Sequence, residues 1–222
     1  VHLRRIDSTN ALARDLAARG APHGTLVTAS EQFAGRGRQG RGWTVRPGAS
    51  LVCSWVIREP PPLLSLAAGA AVAEICGAEA RIKWPNDVLI DARKVAGILV
   101  EGRPAERWAV LGIGINVALT PEDFPPELRE RAGSLGLSEA DVEPTLVRLL
   151  SALEHWLSVP GADVLADVRT RDALLGQTVT WASGTGTAAG IDGSGRLLVI
   201  LADGREQRLD AGEVHLGLAP ER

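Results

Sequence analysis

Lysine and asparagine are nearly missing from this 222-residue chain. It has two lysines, Lys83 and Lys94, against 22 arginines, and three asparagines, Asn10, Asn86 and Asn116. Tyrosine and methionine are absent, and phenylalanine occurs twice. Lysine is normally among the commonest residues of a globular domain, so the usage reads as a bias against one group of residues. Under such a bias a surface lysine drifts to arginine at little cost, whereas a lysine needed as a compact, positionable charge resists replacement. The survivors therefore mark places to look for chemistry. The two cysteines, Cys53 and Cys76, sit in apolar segments and read as small buried hydrophobes more readily than as a disulfide or a nucleophile. The start, VHLRRIDSTN, has no apolar core of the kind a signal peptide carries. The longest strongly apolar stretch, Leu63 to Val72, is far short of the ~20 residues of a membrane span. A soluble, cytoplasmic protein is the expectation. A formal net charge of −3 and a pI near 5.9 argue against a protein that coats nucleic acid. His2, His23, His155 and His215 are scattered without metal-like partners, and no Ser-His-Asp or Cys-His pattern stands out.

What is present has an α+β organisation. Ser8 or Thr9 can cap a helix to about Arg19, with Gly20 as the stop. Thr25–Ser30 and Ala49–Ile57 read as strands on either side of a glycine-arginine loop. Residues 63–76 form a helix that is apolar almost all round and so buried. Arg81–Trp84 and Val88–Ile90 pair around a Pro85-Asn86-Asp87 turn. Val95–Glu101 and Trp108–Asn116 complete a β-rich middle. Residues 120–136 read as a polar, mobile loop with a short helix, and helices follow over 142–157 and roughly 162–174. From Gly176 the character changes to short β runs at 178–182, 187–191, 197–201, 206–209 and 214–216, with Asp192-Gly193 and Asp203-Gly204 as hairpin signals. This predicts a large domain over 1–173 and a small β-barrel over 174–222.

Gly35–Gly40, GRGRQG, matches the dinucleotide-binding pattern letter for letter, but that reading needs a helix to start there. A β-like run follows instead, and no phosphate loop of the G-x-x-x-x-G-K type occurs. The segment is left as a flexible backbone carrying Arg36, Arg38 and Arg41, whose forked donors suit phosphate or carboxylate. A solvated basic loop or a nucleic-acid contact are the alternatives. Lys83, Asp87 and Lys94 fall on neighbouring predicted strands, close enough to converge; a surface salt bridge in a hairpin is the plain alternative. GIGIN at 112–116 offers glycines where a strand could pass close to a ligand, or simply sheet packing. Ser8-Thr9-Asn10 could be only a helix cap.

Together these motifs resemble a known family. STN, EQFAGRGRQGRGW, KWPNDV, RKVAGILVE and GIGIN occur in the order and spacing of the biotin protein ligases, and the resemblance spans essentially the whole chain. It implies a mixed-sheet biotin/lipoate ligase-like catalytic domain followed by an SH3-like barrel. It also implies two half-reactions: biotin and MgATP give biotinyl-5′-AMP, and a specific lysine of a biotin carboxyl carrier protein, the acetyl-CoA carboxylase subunit, then takes the biotin. By similarity Ser8, Thr9 and Gln32 bind the ureido head, with Asn10, Gly35, Arg36, Gly37, Arg38, Lys94, Gly97, Gly112 and Gly114 around it. Lys94 and Arg38 align the carboxylate with the α-phosphorus, Arg36 orders the loop over the adenylate, and Asp87 orients the incoming amine or accepts its proton. Arg38, Arg41, Lys83, Lys94 and Asn116 are the candidates for ATP, with Trp43 as a wall of the nucleotide site and Asn116 near the Mg2+. Some members carry an N-terminal DNA-binding domain; with STN at 8–10, none is expected here, nor DNA or membrane binding, and the chain is expected to be a monomer or homodimer. A lipoate- or octanoate-transferring enzyme of the same fold is the nearest alternative, and an inactive biotin-binding module a more distant one.

Overall fold

A computed structural model of the chain describes residues 1–40, 42–43, 46–210 and 214–216. The first part of the chain supplies seven strands: β1 (His2–Leu3), β2 (Leu26–Ala29), β3 (Ser50–Arg58), β4 (Arg81–Lys83), β5 (Asp87–Ile90), β6 (Arg93–Arg103) and β7 (Trp108–Asn116). They form one sheet in the order β1-β2-β3-β7-β6-β5-β4. β1 runs parallel to β2 and every other pairing is antiparallel, so the sheet is mixed.

Helices cover both faces. α1 (Thr9–Ala18) begins at Ser8, whose hydroxyl accepts from the Ala11 amide as an N-cap, and lays Ala13 and Ala17 on Val27, Val56, Trp108 and Val110. On the other face lies α2 (Leu64–Cys76), buried along nearly all its length against the sheet as its all-round apolar sequence predicts. α3 (Val142–Ser158) and α4 (Gly161–Thr170) pack behind it, and one continuous core joins them. No helix among the described residues is long and apolar enough to cross a membrane.

A second, antiparallel sheet follows, built from β8 (Thr178–Trp181), β9 (Gly184–Ile191), β10 (Leu197–Ile200), β11 (Glu206–Leu209) and β12 (His215–Leu216), in the order β11-β10-β9-β8-β12. Its inward residues Val179, Ala188, Leu197 and Val199 share the core of the first sheet. Two ties fix the junction. Residues 171–173 run beside β4, with Ile82 N–H donating to Arg171 O (2.7 Å) and Ala173 N–H to Ile82 O (3.0 Å), which covers the edge of the large sheet. Trp84, only 2% exposed, donates its indole N–H to Gly195 O at 2.9 Å, in the β9–β10 turn.

Several expectations are corrected. The last helix stops at Thr170 because the next residues are taken up in pairing with Ile82. β9 begins three residues early, through Gly184-Thr185-Gly186; a side chain at Gly186 would sit 2.6 Å from Ile200 O, so its glycine answers to the neighbouring strand. β1 is too short to carry a periodic signal. Residues 120–136 are not a loose loop. Short 3-10 turns occupy Pro121–Asp123 and Pro126–Leu128, and residues 131–137 are then pinned to β6 and to the end of β7. The last predicted strand, 214–216, is present as β12, and the flanking 211–213 and 217–222 lie outside the described residues.

Cys53 is buried and Cys76 mostly so, and burial pushes each thiol up to about 12. Neither should react with a disulfide reagent at pH 8 until the chain is denatured, when two thiols should titrate. Replacing Trp84 with Phe removes the donor to the half-buried Gly195 carbonyl, which should lower unfolding stability by about 0.5–1.5 kcal/mol in urea titrations.

Candidate active site

Strand register aligns a row of residues across one face of the large sheet: Ala29, Val52, Gly114, Gly97, Asp87 and Lys83. A second row, two residues along and on the same face, runs Val27, Ser54, Gly112 and Leu99. Three glycines on two adjacent strands therefore leave a trough without side chains. The trough is occupied from above. A Cβ on Gly112 would lie 2.0 Å from Asn10 Oδ1, and one on Gly114 would lie 2.6 Å from the Trp43 indole. Gly97 likewise lies beneath Trp43 and the Lys94 ammonium.

Lys94 reaches this face through a fault in the ladder. It is three residues from Gly97, so simple alternation would point it at the opposite face, into the core. Instead the register slips: Ala96 pairs with Val88 but Lys94 with Leu89, so Val95 has no partner on β5. Val95 turns into the core, 1% exposed, and Lys94 turns to the trough. Segment 131–133 holds the fault, since Lys94 N–H donates to Arg131 O (2.7 Å) and Gly133 N–H to Lys94 O (2.9 Å). The Lys94 ammonium then pairs with Asp87 at 2.6 Å, and lies 5.6 Å from the centroid of the Trp43 ring.

Asn86 organises the adjoining corner. Its Oδ1 accepts from Arg38 (3.1 Å), and its amide nitrogen donates to Asp87 Oδ1 and Ile98 O, both at 3.1 Å. The glycine-arginine loop is thereby anchored to the turn that carries Asp87, and Trp43 N–H donates back to Gly35 O at 2.9 Å. The Trp43 indole N–H is buried with no partner.

At the other end, α1 brings its N-terminus down on the trough. Thr9 donates through both its amide (2.8 Å) and its hydroxyl (3.0 Å) to Gln32 Oε1. Ser54 Oγ lies 2.8 Å from Thr9 Oγ1 and 2.5 Å from Asn10 Oδ1, and the Asn10 amide donates to Glu101 Oε2 at 2.9 Å.

The cavity between these groups is lined by Ser8, Thr9, Asn10, Gln32, Arg36, Gly37, Arg38, Trp43, Asn86, Lys94, Gly97, Gly112 and Gly114, with Val52, Cys53, Ile98, Leu99 and Ile113. Its charged lining residues, Arg36, Arg38 and Lys94, are all cationic, in a chain of net charge −3. The site is built for an anion with an apolar body. Its free volume is about 60 Å³, well under the roughly 300–1,000 Å³ of ordinary ligand pockets, because the Trp43 indole lies over Gly97 and Gly114 and fills part of the trough.

Most of the sequence candidates are thus assembled. Gly35 is buried beneath the loop, where a Cβ would meet Trp43 O. Asp87 stands behind Lys94. Lys83 sits opposite Asp87 in the same row, and Asn116 extends the Gly112–Gly114 face by one position; neither lines the cavity, and the Asn116 amide donates to Gly133 O at 2.8 Å. Arg41 lies outside the described residues. Among the described residues no three His, Cys, Asp or Glu side chains group as a metal site. Ser54 and Arg14 fall in no motif, and Glu101 closes the RKVAGILVE motif without a role assigned from sequence; strand register and helix placement bring the three together.

Residues 2–117 match the biotin/lipoate A/B protein ligase family, and residues 174–217 match the biotin protein ligase C terminal domain. The chain belongs to this ligase family. It is 37% identical over 244 residues to a biotin–[acetyl-CoA-carboxylase] ligase of Paracoccus denitrificans, covering 97% of this chain and 99% of that one. A bifunctional ligase/repressor BirA of Bacillus subtilis is 44% identical over 142 residues; the match covers 59% of this chain, and the chain spans less than half that relative's length, 44%. Among solved structures, a biotin protein ligase of Aquifex aeolicus in complex with biotin and ATP superposes with a TM-score of 0.80 at 27% identity, covering 99% of this chain and 98% of that one. The family fold therefore accounts for both sheets.

The trough makes a direct prediction. Gly112→Ala forces a methyl into Asn10, and should lower stability by about 1–3 kcal/mol in thermal or urea unfolding, with Asn10→Ala in the same chain restoring part of the loss.

Proposed function

We propose that this chain is an ATP-dependent biotin protein ligase with a catalytic unit over 1–173 and an SH3-like unit over 174–222. The observation that carries the proposal is the ladder fault that turns Lys94 onto a glycine trough whose other charged lining groups are Arg36 and Arg38. Biotin has an apolar bicyclic body, a ureido group and a carboxylate, and the cavity offers matching parts. Gln32 and Thr9 face the ureido end, the glycine backbone and Trp43 flank the body, and Lys94 and Arg38 meet the carboxylate.

In the first step a carboxylate oxygen of biotin attacks the α-phosphorus of ATP, the bond to the β-phosphate oxygen breaks, and pyrophosphate leaves. The carboxylate is ionised at neutral pH, so this step needs no general base. It needs two anions held in line, which is electrostatic work suited to Lys94 and Arg38. Asp87 and Asn86 fix these two cations in place. Arg36, on the loop, covers the adenylate and limits its hydrolysis. Arg41, Lys83 and Asn116 are assigned to the phosphate side and Trp43 to the nucleotide wall.

Mg2+ would offset charge on the phosphates. Such an ion takes much of its shell from phosphate and water, so Asn116 with no carboxylate cluster among the described residues fits a metal that would arrive with the nucleotide.

In the second step a neutral lysine amine of a biotin carboxyl carrier protein attacks the mixed-anhydride carbonyl. The bond to the phosphate oxygen breaks, AMP leaves, and the amine proton passes to Asp87 or water.

The family also contains lipoate ligases, so the test is run with both acids. With MgATP and a carrier domain, biotin should be found on one carrier lysine by mass spectrometry, and lipoate should not; modification by lipoate alone would favour the second reading. Lys94→Gln should slow biotin-dependent exchange of pyrophosphate into ATP by about 100-fold or more with a smaller loss of biotin binding. Unchanged single-turnover adenylation would remove Lys94 from the chemistry.

A further inference from the structure

A chain of hydrogen bonds leads from the surface to the floor of the cavity, from Arg14 through Glu101, Asn10 and Ser54 to Thr9 and Gln32. On α1, Asn10 and Arg14 are four apart and face the same way. They hold the two oxygens of Glu101, Arg14 at Oε1 (2.9 Å) and Asn10 at Oε2 (2.9 Å). Glu101 lies on β6, two and four residues beyond Leu99 and Gly97 on the same face. An ionised carboxylate only accepts, so Asn10 must turn its NH2 to Glu101 and its carbonyl to Ser54. Ser54, fully buried, then gives its one hydroxyl proton to Asn10 Oδ1, the shorter of its two contacts. Its remaining lone pairs can only receive, so the Thr9 hydroxyl donates inward, to Ser54 or to Gln32 Oε1. The Thr9 lone pairs are left for an incoming N–H. Gln32 Oε1, held by the Thr9 amide, leaves its NH2 as the donor at the cavity.

We infer that Glu101, with Arg14 behind it and Ser54 in the middle, is a positioning residue that sets the direction of the hydrogen bonds at the ureido end of the site. Asn10 lines the cavity, but both its polar atoms are engaged within the protein, so its part is to relay that direction. The inference rests on the proposed function, because an acceptor at Thr9 and a donor at Gln32 match the N–H and C=O of a ureido group. Losing the carboxylate leaves Asn10 free to flip, and the chain can then run either way.

Glu101→Gln keeps the shape and removes the one-way acceptor. It should weaken biotin binding about tenfold, as expected for one misdirected buried hydrogen bond, with the KM for ATP within twofold of wild type. It should also narrow the preference for biotin over 2-iminobiotin, in which a C=NH replaces the ureido C=O; a merely structural role would not move that ratio. Ser54→Ala, which breaks the chain at its centre, should do the same. Circular dichroism and melting curves establish that each variant is folded, and if one is not, the other carries the test. Equal biotin affinity and an equal analogue ratio in a folded variant overturn the inference while leaving the ligase reading intact. A wild-type protein that binds no biotin overturns both.

Discussion

Three positions without side chains, Gly97 on one strand and Gly112 and Gly114 on its neighbour, open a strip of bare backbone on an otherwise closed sheet face. Everything else in the site is placed against that strip. Asn10 comes down on it from the first helix, Trp43 from the glycine-arginine loop, and Lys94 enters from the side because the ladder skips Val95. An ordinary strand would have sent Lys94 into the core, where an ammonium is costly. The fault exchanges a valine for a lysine across the sheet, and segment 131–133 supplies the backbone partners that keep it so.

The small sheet is not simply appended. Its β9–β10 turn receives the Trp84 indole, and Trp84 begins the turn whose next residues hold Arg38, through Asn86, and Lys94, through Asp87. The apolar core runs without a break from α2 into both sheets. A shift of the small sheet would therefore be felt at Arg38 and Lys94.

How much of this was legible in the sequence follows from what each residue answers to. Scarcity pointed to Lys94, Asn86 and Asn10, which all lie at the site, and equally to Lys83 and Asn116, which stand just beyond its lining. Rarity marks a residue that something holds in place, whether or not it meets a ligand. The strands of the central sheet were readable from their apolar runs, since both faces are covered. The ladder fault was not, because it depends on which backbone groups the distant segment 131–133 takes up. Ser54 and Arg14 are common residue types outside any motif, Glu101 only closes one, and it is the strand register and the helix placement that bring them into one chain. Residues 120–136 looked loose because their polar, proline-rich composition is that of a loop, whereas their hydrogen bonds go to Lys94, Asn116 and Val117.

The central claim is that the glycine trough holds biotin, and calorimetric titration of biotin into the wild-type chain and into Gly114→Val measures it directly. The account predicts one biotin per wild-type chain and no measurable binding to the folded variant, whose new side chain would occupy the trough. A wild-type chain that takes up no biotin, or a folded Gly114→Val that binds it as tightly as wild type, would contradict it.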